Sequence, residues 1–389
     1  MGCRIVPSLT IRLDSHHRRL NKPKWERMYP VLIVGAGKIG TAAAAFLADT
    51  GDYDVLVADI DPQSLHRVSE SCSATTIQIA ADDTDALDSV MKGRRSVLSA
   101  MSFAFNPGIA KVALRNHCSY FDLTEDVQTT RATRALSESA SPGQIFMPQC
   151  GLAPGFVSIA AFDLARQFET LNEVRLRVGA LPVFPTNEMK YNLTWSTDGL
   201  INEYGNPCEA IHDGKLIEVL PLEGYETFSL DGVDYEAFNT SGGVGTLAET
   251  LQGKARTLNY KTIRYRGHRD LIKFLMFELR LNERRDLLKD IFENAIPMTP
   301  QDVVLIFCTV KGKKNGWLTE ITDARKVYAK EFRGRTFSAI QITTASSLCA
   351  MLDLHVAGKL PRQGFVKQED VTLETFLSNR FGMCYINKP

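Results

Sequence analysis

Two carboxylates stand close together after a short apolar segment in the first half of the chain. Asp122 and Glu125 follow Ser119–Phe121, and Thr124 lies between them. A carboxylate beyond the end of a strand can hold an ammonium group and take a proton from it, which is general acid–base chemistry. An acid in this position also caps a loop or turn in many proteins. The sequence therefore predicts catalytic roles for Asp122 and Glu125, with loop capping as the alternative for Asp122, and a cofactor contact for Thr124.

A glycine-rich turn carries the second chemical signal. Four apolar residues, Val31–Val34, run into a G-x-G-x-x-G pattern, and an alanine-rich segment follows. Between a strand and a helix this pattern is typical of dinucleotide-binding domains, because backbone N–H groups at the helix start face the pyrophosphate. The predicted cofactor contacts of this turn are Gly35, Gly37, Lys38, Ile39 and Gly40.

The end of the next predicted strand bears on the choice of cofactor. Tyr53–Asp59 reads as a strand whose final acid lies about 20 residues beyond the glycines, where a carboxylate accepts hydrogen bonds from ribose hydroxyls. This charge would repel the extra phosphate of NADP, and Ile60 and Asp61 follow it rather than an arginine. We expect NAD in preference to NADP. The alternative is a Rossmann-like domain that binds a flavin or nucleotide without hydride transfer.

Parallel sheets bind ligands at the carboxyl ends of their strands. Ala100 and Met101 follow a predicted fourth strand, so we expect both to lie beside a nicotinamide ring. Cys150 leaves a sixth strand and enters a turn with two glycines and a proline. A small residue lining the cofactor site is the favoured interpretation of Cys150, and a nucleophile is the alternative.

Aromatic and basic residues in the second half could hold a substrate. Tyr191 and Trp195 suit the wall of a pocket, with core packing as the alternative. Arg264 and Arg266 fall on one face of a predicted strand and could grip a carboxylate, although strand arginines also pair with surface acids. His268 could act as a base because it titrates near neutral pH, and a hydrogen-bonded structural histidine is the alternative.

Alternating strand and helix patterns place these residues in an α/β fold. Residues 30–150 predict a Rossmann domain, a doubly wound parallel sheet. Residues 151–335 contain segments of period two and predict a second domain with a largely antiparallel sheet that has one exposed face. A helical segment is expected from about Arg269 to Asp290. Residues 336–389 predict a C-terminal return to the Rossmann domain, with a helix over Thr343 to Val356.

Composition limits the remaining possibilities. The 389 residues carry a net charge of zero, so nucleic acid and membrane are not expected partners. The eight cysteines form no C-x-x-C pattern, which favours free thiols in a reducing cytoplasm and predicts no metal site. Residues 1–29 are basic and predict a solvated arm, with a transit peptide as an alternative.

Six segments occur in a fixed order along the chain: Gly35–Gly40, Tyr120–Glu125, Cys150–Gly155, Lys190–Ser196, Thr262–His268 and Gly364–Asp370. Together they make the chain resemble the saccharopine dehydrogenase family, most strongly the members that oxidise the ε-amine of lysine with NAD. The resemblance implies an oxidoreductase that acts on the CH–NH2 or CH–NH group of an amino acid. It also implies that residues 151–335 form an inserted mixed α/β substrate and dimerisation domain, and that the protein is a homodimer. Saccharopine or carboxyspermidine dehydrogenases are the alternative, and a catalytically silent NAD-binding regulator is an alternative of another class.

Overall fold

The computed structural model describes residues 28–332 and 334–386, and in this part of the chain the first sheet has seven parallel strands. Their spatial order is β17-β6-β5-β4-β1-β2-β3, so the order reverses at β1, as in a doubly wound sheet. The strands are β1 (Tyr29–Val34), β2 (Tyr53–Asp59), β3 (Thr75–Gln78), β4 (Ser96–Ser99), β5 (Ser119–Asp122), β6 (Ile145–Met147) and β17 (Gly364–Phe365).

Helices α1 to α5 connect the successive strands β1 to β6 of this parallel sheet. The helix α1 has alanines along its buried face, which lets it pack closely on the sheet and on a later helix, α11 (Ala339–Val356). Side chains of Asp61, Asp83 and Asp126 accept hydrogen bonds from the first turns of α2, α3 and α5. The helices are α1 (Lys38–Thr50), α2 (Pro62–Ser71), α3 (Thr84–Met91), α4 (Asn106–Arg115), α5 (Val127–Ser137) and α6 (Phe156–Ala165).

The second sheet contains eight strands and is largely antiparallel. Its main order is β10-β11-β12-β7-β13-β14, while β8 pairs with β12 and β9. Only the β12–β7 pair is parallel among these described strands. The strands of this second sheet are β7 (Thr170–Pro182), β8 (Cys208–His212), β9 (Lys215–Val219), β10 (Glu226–Leu230), β11 (Val233–Asn239), β12 (Ala255–Tyr265), β13 (Asp302–Lys314) and β14 (Trp317–Tyr328).

The segment predicted to be helical from about Arg269 to Asp290 is helical in the structure, but it is interrupted. It contains α9 (His268–Lys273), a π-helix (Phe274–Glu278), a 3₁₀ turn (Leu281–Glu283) and α10 (Arg285–Ala295). The break falls at Arg280, which has a left-handed φ of 54°. A non-glycine residue in that conformation cannot continue a right-handed helix. Two further helices of this half are α7 (Thr197–Gly205) and α8 (Leu247–Leu251).

The C-terminal segment returns to the first sheet. Its helix α11 begins four residues before the predicted Thr343, since Ser338 and Gln341 form a capping box. Asp302 of β13 accepts hydrogen bonds from the backbone N–H groups of Ala339 and Ile340, which fastens the helix start to the second sheet. Short strands β15 (Lys330–Phe332) and β16 (Arg335–Phe337) precede α11, and β17 and α12 (Leu373–Leu377) follow it. The predicted fold class is confirmed.

Two negative findings apply to the described residues. No helix among them is long and apolar enough to cross a membrane. No group of three or more histidine, cysteine, aspartate or glutamate side chains in this part of the chain could hold a metal ion. The predicted basic arm lies almost wholly outside the described residues.

Candidate active site between the two sheets

The glycine turn has the geometry that a dinucleotide requires. Gly35 has a φ of 104°, and a Cβ there would lie 2.9 Å from the carbonyl oxygen of Ala100. A Cβ on Gly40 would lie 1.8 Å from the carbonyl oxygen of Gly35, so only glycine permits this close approach of helix and turn. A Cβ on Gly37 would meet nothing within 4 Å, which leaves open space where α1 begins.

The start of α1 can receive a phosphate. Gly37 caps the helix without a side-chain hydrogen bond, and the first turn carries no acid. The N–H groups of this turn therefore add to the positive end of the helix dipole. Lys38 is the first residue of the helix, and burial lowers the pKa of its ammonium group. Ile39 follows it and lines the cavity described below.

Asp59 completes the candidate cofactor site. It is the last residue of β2, and its carboxylate accepts hydrogen bonds from the N–H of Ala36 (2.6 Å) and the N–H of Asp61 (2.8 Å). These bonds hold the carboxylate at the mouth of the glycine turn. Each oxygen retains a lone pair for a ribose hydroxyl. The residues present therefore fit an adenine dinucleotide.

A cavity of about 230 Å³ lies between the two sheets, beyond the carboxyl end of β4. Ala100 and Met101, which were predicted to lie beside a nicotinamide, form its wall on the Rossmann side. Trp195 forms part of the opposite wall, and its ring packs against Gly199 of α7. The remaining walls include apolar side chains from both halves, namely Phe103, Leu123, Leu152, Ala153, Pro154, Val178, Ala180 and Ile340.

Three charged side chains line this cavity among the described residues: Glu125, Glu203 and Arg264. Burial raises the pKa of Glu125 from 4.5 to about 7, although a hydrogen bond from Asn202 opposes the shift. Burial raises the pKa of Glu203, Arg264 lowers it and the charge of Glu125 raises it, with a net value of about 8. Two carboxyl groups that titrate near neutral pH are suited to accept and return protons.

Arg264 is a buried cation with part of its donor set engaged. Its Nε donates to the hydroxyl of Tyr204 (2.8 Å), and its Nη1 donates to Thr262 Oγ1 (2.7 Å) and to the carbonyl of Ile263 (2.8 Å). The guanidinium carbon lies 5.0 Å from the ring centre of Tyr191. Nη2 makes no hydrogen bond to a described residue, so this nitrogen can bind a ligand oxygen.

His268 lies behind Arg264 rather than in the cavity lining. It is 1% exposed, and its two ring nitrogens contact the carbonyl of Met189 (2.9 Å) and the hydroxyl of Tyr204 (3.0 Å). Burial, with the nearby charge of Arg264, lowers the pKa of His268 to about 3. Because both ring nitrogens are engaged outside the cavity lining, His268 fits the structural alternative better than the predicted role of a base.

Asp122 also lies outside the cavity lining. Its fully buried carboxylate accepts hydrogen bonds from the hydroxyl of Tyr120 (2.8 Å), the N–H of Thr124 (2.9 Å) and the N–H of Gln149 (3.1 Å). These donors make Asp122 the residue that fastens the loop after β5 to the loop after β6, which is the capping alternative. Glu125, on the same loop, is the carboxylate that reaches the cavity.

Four other predicted site residues lie outside the cavity lining. Thr124 is buried, and its hydroxyl oxygen accepts a hydrogen bond from the N–H of Asp126. Cys150 is buried, and its thiol donates a hydrogen bond to the carbonyl oxygen of Met147. Neither is part of the cavity lining, although Gly151 is. Tyr191 is buried beneath Arg264, and Arg266 is exposed and lies 3.6 Å from Asp234. Tyr191 therefore belongs to the packing alternative and Arg266 to the surface-pair alternative.

The sequence analysis missed Glu203 and Tyr260. Glu203 lies on α7, a helix that Ser196 caps by accepting the N–H of Gly199 (3.2 Å). Ser196, Gly199 and Glu203 all line the cavity, at spacings of three and four that place them on one helix face. That spacing, after the predicted pocket residue Trp195, was the available signal. Tyr260 is in the middle of β12, on the same strand as Arg264, and nothing in its local sequence distinguishes it.

Comparison with known proteins identifies the family. Residues 31–147 match a family model described as "Saccharopine dehydrogenase NADP binding domain", and residues 151–380 match "Saccharopine dehydrogenase C-terminal domain". Because these two family models match most of its length, this chain belongs to the saccharopine dehydrogenase family. The family resemblance inferred from the sequence is confirmed.

Individual relatives are distant. The saccharopine dehydrogenase [NADP(+), L-glutamate-forming] of Saccharomyces cerevisiae is 24% identical over 265 residues, covering 63% of this chain and 57% of the yeast protein. The mitochondrial alpha-aminoadipic semialdehyde synthase of Rattus norvegicus is 20% identical over 259 residues, covering 61% of this chain and 27% of the rat protein. The match thus spans about half the length of the yeast relative and a quarter of the rat one.

The fold is shared with a solved structure. Apo histidine-tagged saccharopine dehydrogenase (L-Glu forming) from Saccharomyces cerevisiae superposes with a TM-score of 0.73 at 17% identity, covering 89% of this chain and 95% of that one. At this identity the likeness establishes the common fold. The substrate and cofactor of the present chain have to be argued from its own site.

Proposed function

We propose that the protein is a nicotinamide-dependent dehydrogenase that oxidises the ε-amine of lysine. The observation that supports this proposal is the charge of the cavity: one arginine and two carboxyl groups line it together with apolar side chains. Lysine offers one carboxylate and a distal ammonium group joined by methylene carbons. Arg264 suits the carboxylate, Glu125 and Glu203 suit the ammonium group, and Leu123 and Leu152 suit the chain between them.

The carboxyl groups supply the proton chemistry. Glu203, in its charged form, takes a proton from the ε-ammonium group and leaves a neutral amine with a lone pair. A bound nicotinamide dinucleotide would supply the acceptor for the hydride that leaves the ε-carbon. Glu125 takes a proton from the water that attacks the resulting substrate imine. Hydrolysis then yields an aldehyde and ammonia.

A saccharopine dehydrogenase is the second candidate, because the named relatives carry that activity. Saccharopine has three carboxylates, and each would require a cationic or hydrogen-bonding partner to leave water. Among the described residues the cavity lining contains one cation, Arg264. This difference favours the smaller substrate.

We propose NAD as the preferred cofactor. The carboxylate of Asp59 disfavours a 2′-phosphate, and Ile60 and Asp61 supply no cation to offset that repulsion. The opposing consideration is that the family model and the yeast relative are both named for NADP. Since both cofactors absorb at 340 nm when reduced, one assay compares them directly.

The test is steady-state turnover by the purified full chain. Lysine with NAD should give a rise in absorbance at 340 nm, and NADP should be used at least about tenfold less efficiently, the effect of 1.4 kcal/mol. Saccharopine should give little signal with either cofactor. Turnover of saccharopine with no turnover of lysine would overturn the proposal in favour of the second candidate.

A further inference from the structure

A chain of three buried side chains runs from the cavity to the outer loop of the second domain. Arg264 Nε donates to the hydroxyl of Tyr204, which lies 3.0 Å from Nε2 of His268. His268 Nδ1 in turn lies 2.9 Å from the carbonyl oxygen of Met189. Arg264, Tyr204 and His268 are 3%, 0% and 1% exposed, so water does not compete for these bonds.

The proton positions in this chain follow from its two ends. An arginine can only donate, and a backbone carbonyl can only accept. His268 must therefore carry its proton on Nδ1, leaving Nε2 as the acceptor of the Tyr204 proton. The Tyr204 oxygen is then free to accept from Arg264. A second proton on His268 would turn two donors toward Tyr204 and leave the tyrosine proton without an acceptor. The ring packs against Tyr191 and Tyr204, and burial together with the charge of Arg264 keeps it neutral by lowering its pKa.

The chain fixes the plane of the guanidinium group. Tyr204 holds Nε, while Thr262 and Ile263 hold Nη1, so rotation about the end of the side chain is blocked on two sides. The remaining nitrogen, Nη2, has no bond to a described residue. A cation that is held in one orientation selects a carboxylate at one distance from the reacting carbon, since binding loses less entropy to a preorganised partner.

We propose that His268 is a positioning residue that, through Tyr204, orients Arg264 and thereby makes the enzyme select amines that carry a carboxylate. This inference rests on the proposed function. It assigns to His268 and Tyr204 a role in specificity that does not require either to touch the substrate.

The experiment compares lysine with 1,5-diaminopentane, the same amine without the carboxylate. In His268→Asn and in Tyr204→Phe, kcat/KM for lysine should fall about tenfold, while kcat/KM for diaminopentane should stay within about twofold of wild type. The loss should appear mainly in KM. A variant that is merely less well folded should lower kcat/KM for both substrates by the same factor, so that the ratio of the two kcat/KM values stays unchanged.

His355→Asn is the matched control. His355 is another histidine with a lowered pKa, but it lies on α11 and contacts the hydroxyl of Ser119 (3.0 Å), with no link to Arg264. Its substitution should leave the ratio of the two kcat/KM values at that of wild type. If this ratio is unchanged in both His268→Asn and Tyr204→Phe, while wild type is active on lysine, the proposed positioning of Arg264 by His268 and Tyr204 is overturned.

A second measurement is independent of turnover. Long-range ¹H–¹⁵N spectra of the full chain should show His268 as the neutral Nδ1–H form from pH 5.5 to 8.5. A ring that gains a proton in this range, or that carries its proton on Nε2, contradicts the hydrogen-bond chain from His268 through Tyr204 to Arg264. If wild type oxidises neither amine, the proposed function fails, and the spectra alone decide whether this hydrogen-bond chain exists.

Discussion

At the scale of single residues, similar side chains have different tasks because their surroundings differ. Asp122 and Glu125 are three positions apart, yet three donors surround the first carboxylate and the second lines the cavity. Likewise Arg264 is buried at the site, while Arg266 is exposed near Asp234. Residue type and spacing indicated the right neighbourhood, but the partner atoms that decide each role come from distant parts of the chain.

Glu203→Gln tests the proposed proton acceptor. The variant keeps the shape of the side chain but cannot accept the ammonium proton, so kcat/KM for lysine should fall by about 100-fold. Wild-type kcat/KM should rise with pH through an apparent ionisation between about 7 and 8, which belongs to the Glu125–Glu203 pair. The variant should lose the upper part of this rise. Glu249→Gln, at a surface pair with Arg134, should leave the profile unchanged.

The same substitution has an opposite effect on stability. The pKa of Glu203 is 4.5 in its ordinary state and about 8 in the fold, so the folded protein binds more protons between these values. The free energy of unfolding of wild type is therefore reduced as pH rises from 4.5 to 8. Glu203→Gln should melt at a higher temperature than wild type at pH 9, with the gap closing toward pH 4. A lower melting temperature for the variant at pH 9 would contradict burial as the cause of the shift.

At the scale of elements, the strand–glycine–helix unit was predictable because all of its determinants are local. The pattern of apolar residues, glycines and alanines fixes β1, the turn and α1 together. The helical segment after β12 was not predictable in detail, since Arg280 takes a left-handed conformation that no glycine or asparagine announces. Glu203 was missed because it lines the cavity only once α7 packs beside residues that are distant in the sequence.

Two glycines of the turn should respond differently to alanine. Gly40→Ala places a Cβ against the carbonyl oxygen of Gly35 and should destabilise the protein by about 1–3 kcal/mol. Gly37→Ala has free space around its Cβ and should melt within about 1 °C of wild type without cofactor, yet bind NAD more weakly because the methyl group enters the phosphate site. Thermal melts with and without NAD separate the two effects. Equal destabilisation by both substitutions would show that the turn is not shaped for a phosphate.

At the scale of the whole molecule, the site exists only because the chain leaves the first sheet and returns to it. Residues before α6 supply Ala100, Met101 and Glu125, and the second sheet supplies Arg264. The return is secured by Asp302 at the start of α11 and by β17 pairing with β6. The alternation of element types was enough to predict two sheets and a C-terminal segment that packs back on the first sheet. It did not predict that α7 and β12 line one cavity together with the Rossmann domain, which only the structure shows. The homodimer and the cytoplasmic location stay predictions.

The most direct test of the account follows one hydrogen atom. Lysine carrying deuterium on its ε-carbon should transfer deuterium to the cofactor, and mass spectrometry should find NADH heavier by one mass unit. Lysine with deuterium on its α-carbon should give unlabelled NADH, because in the proposed placement Arg264 binds the α-carboxylate and the ε-amine lies near Glu125 and Glu203. Deuterium that arrives only from the α-carbon, or from neither position, would contradict the proposed placement of the substrate.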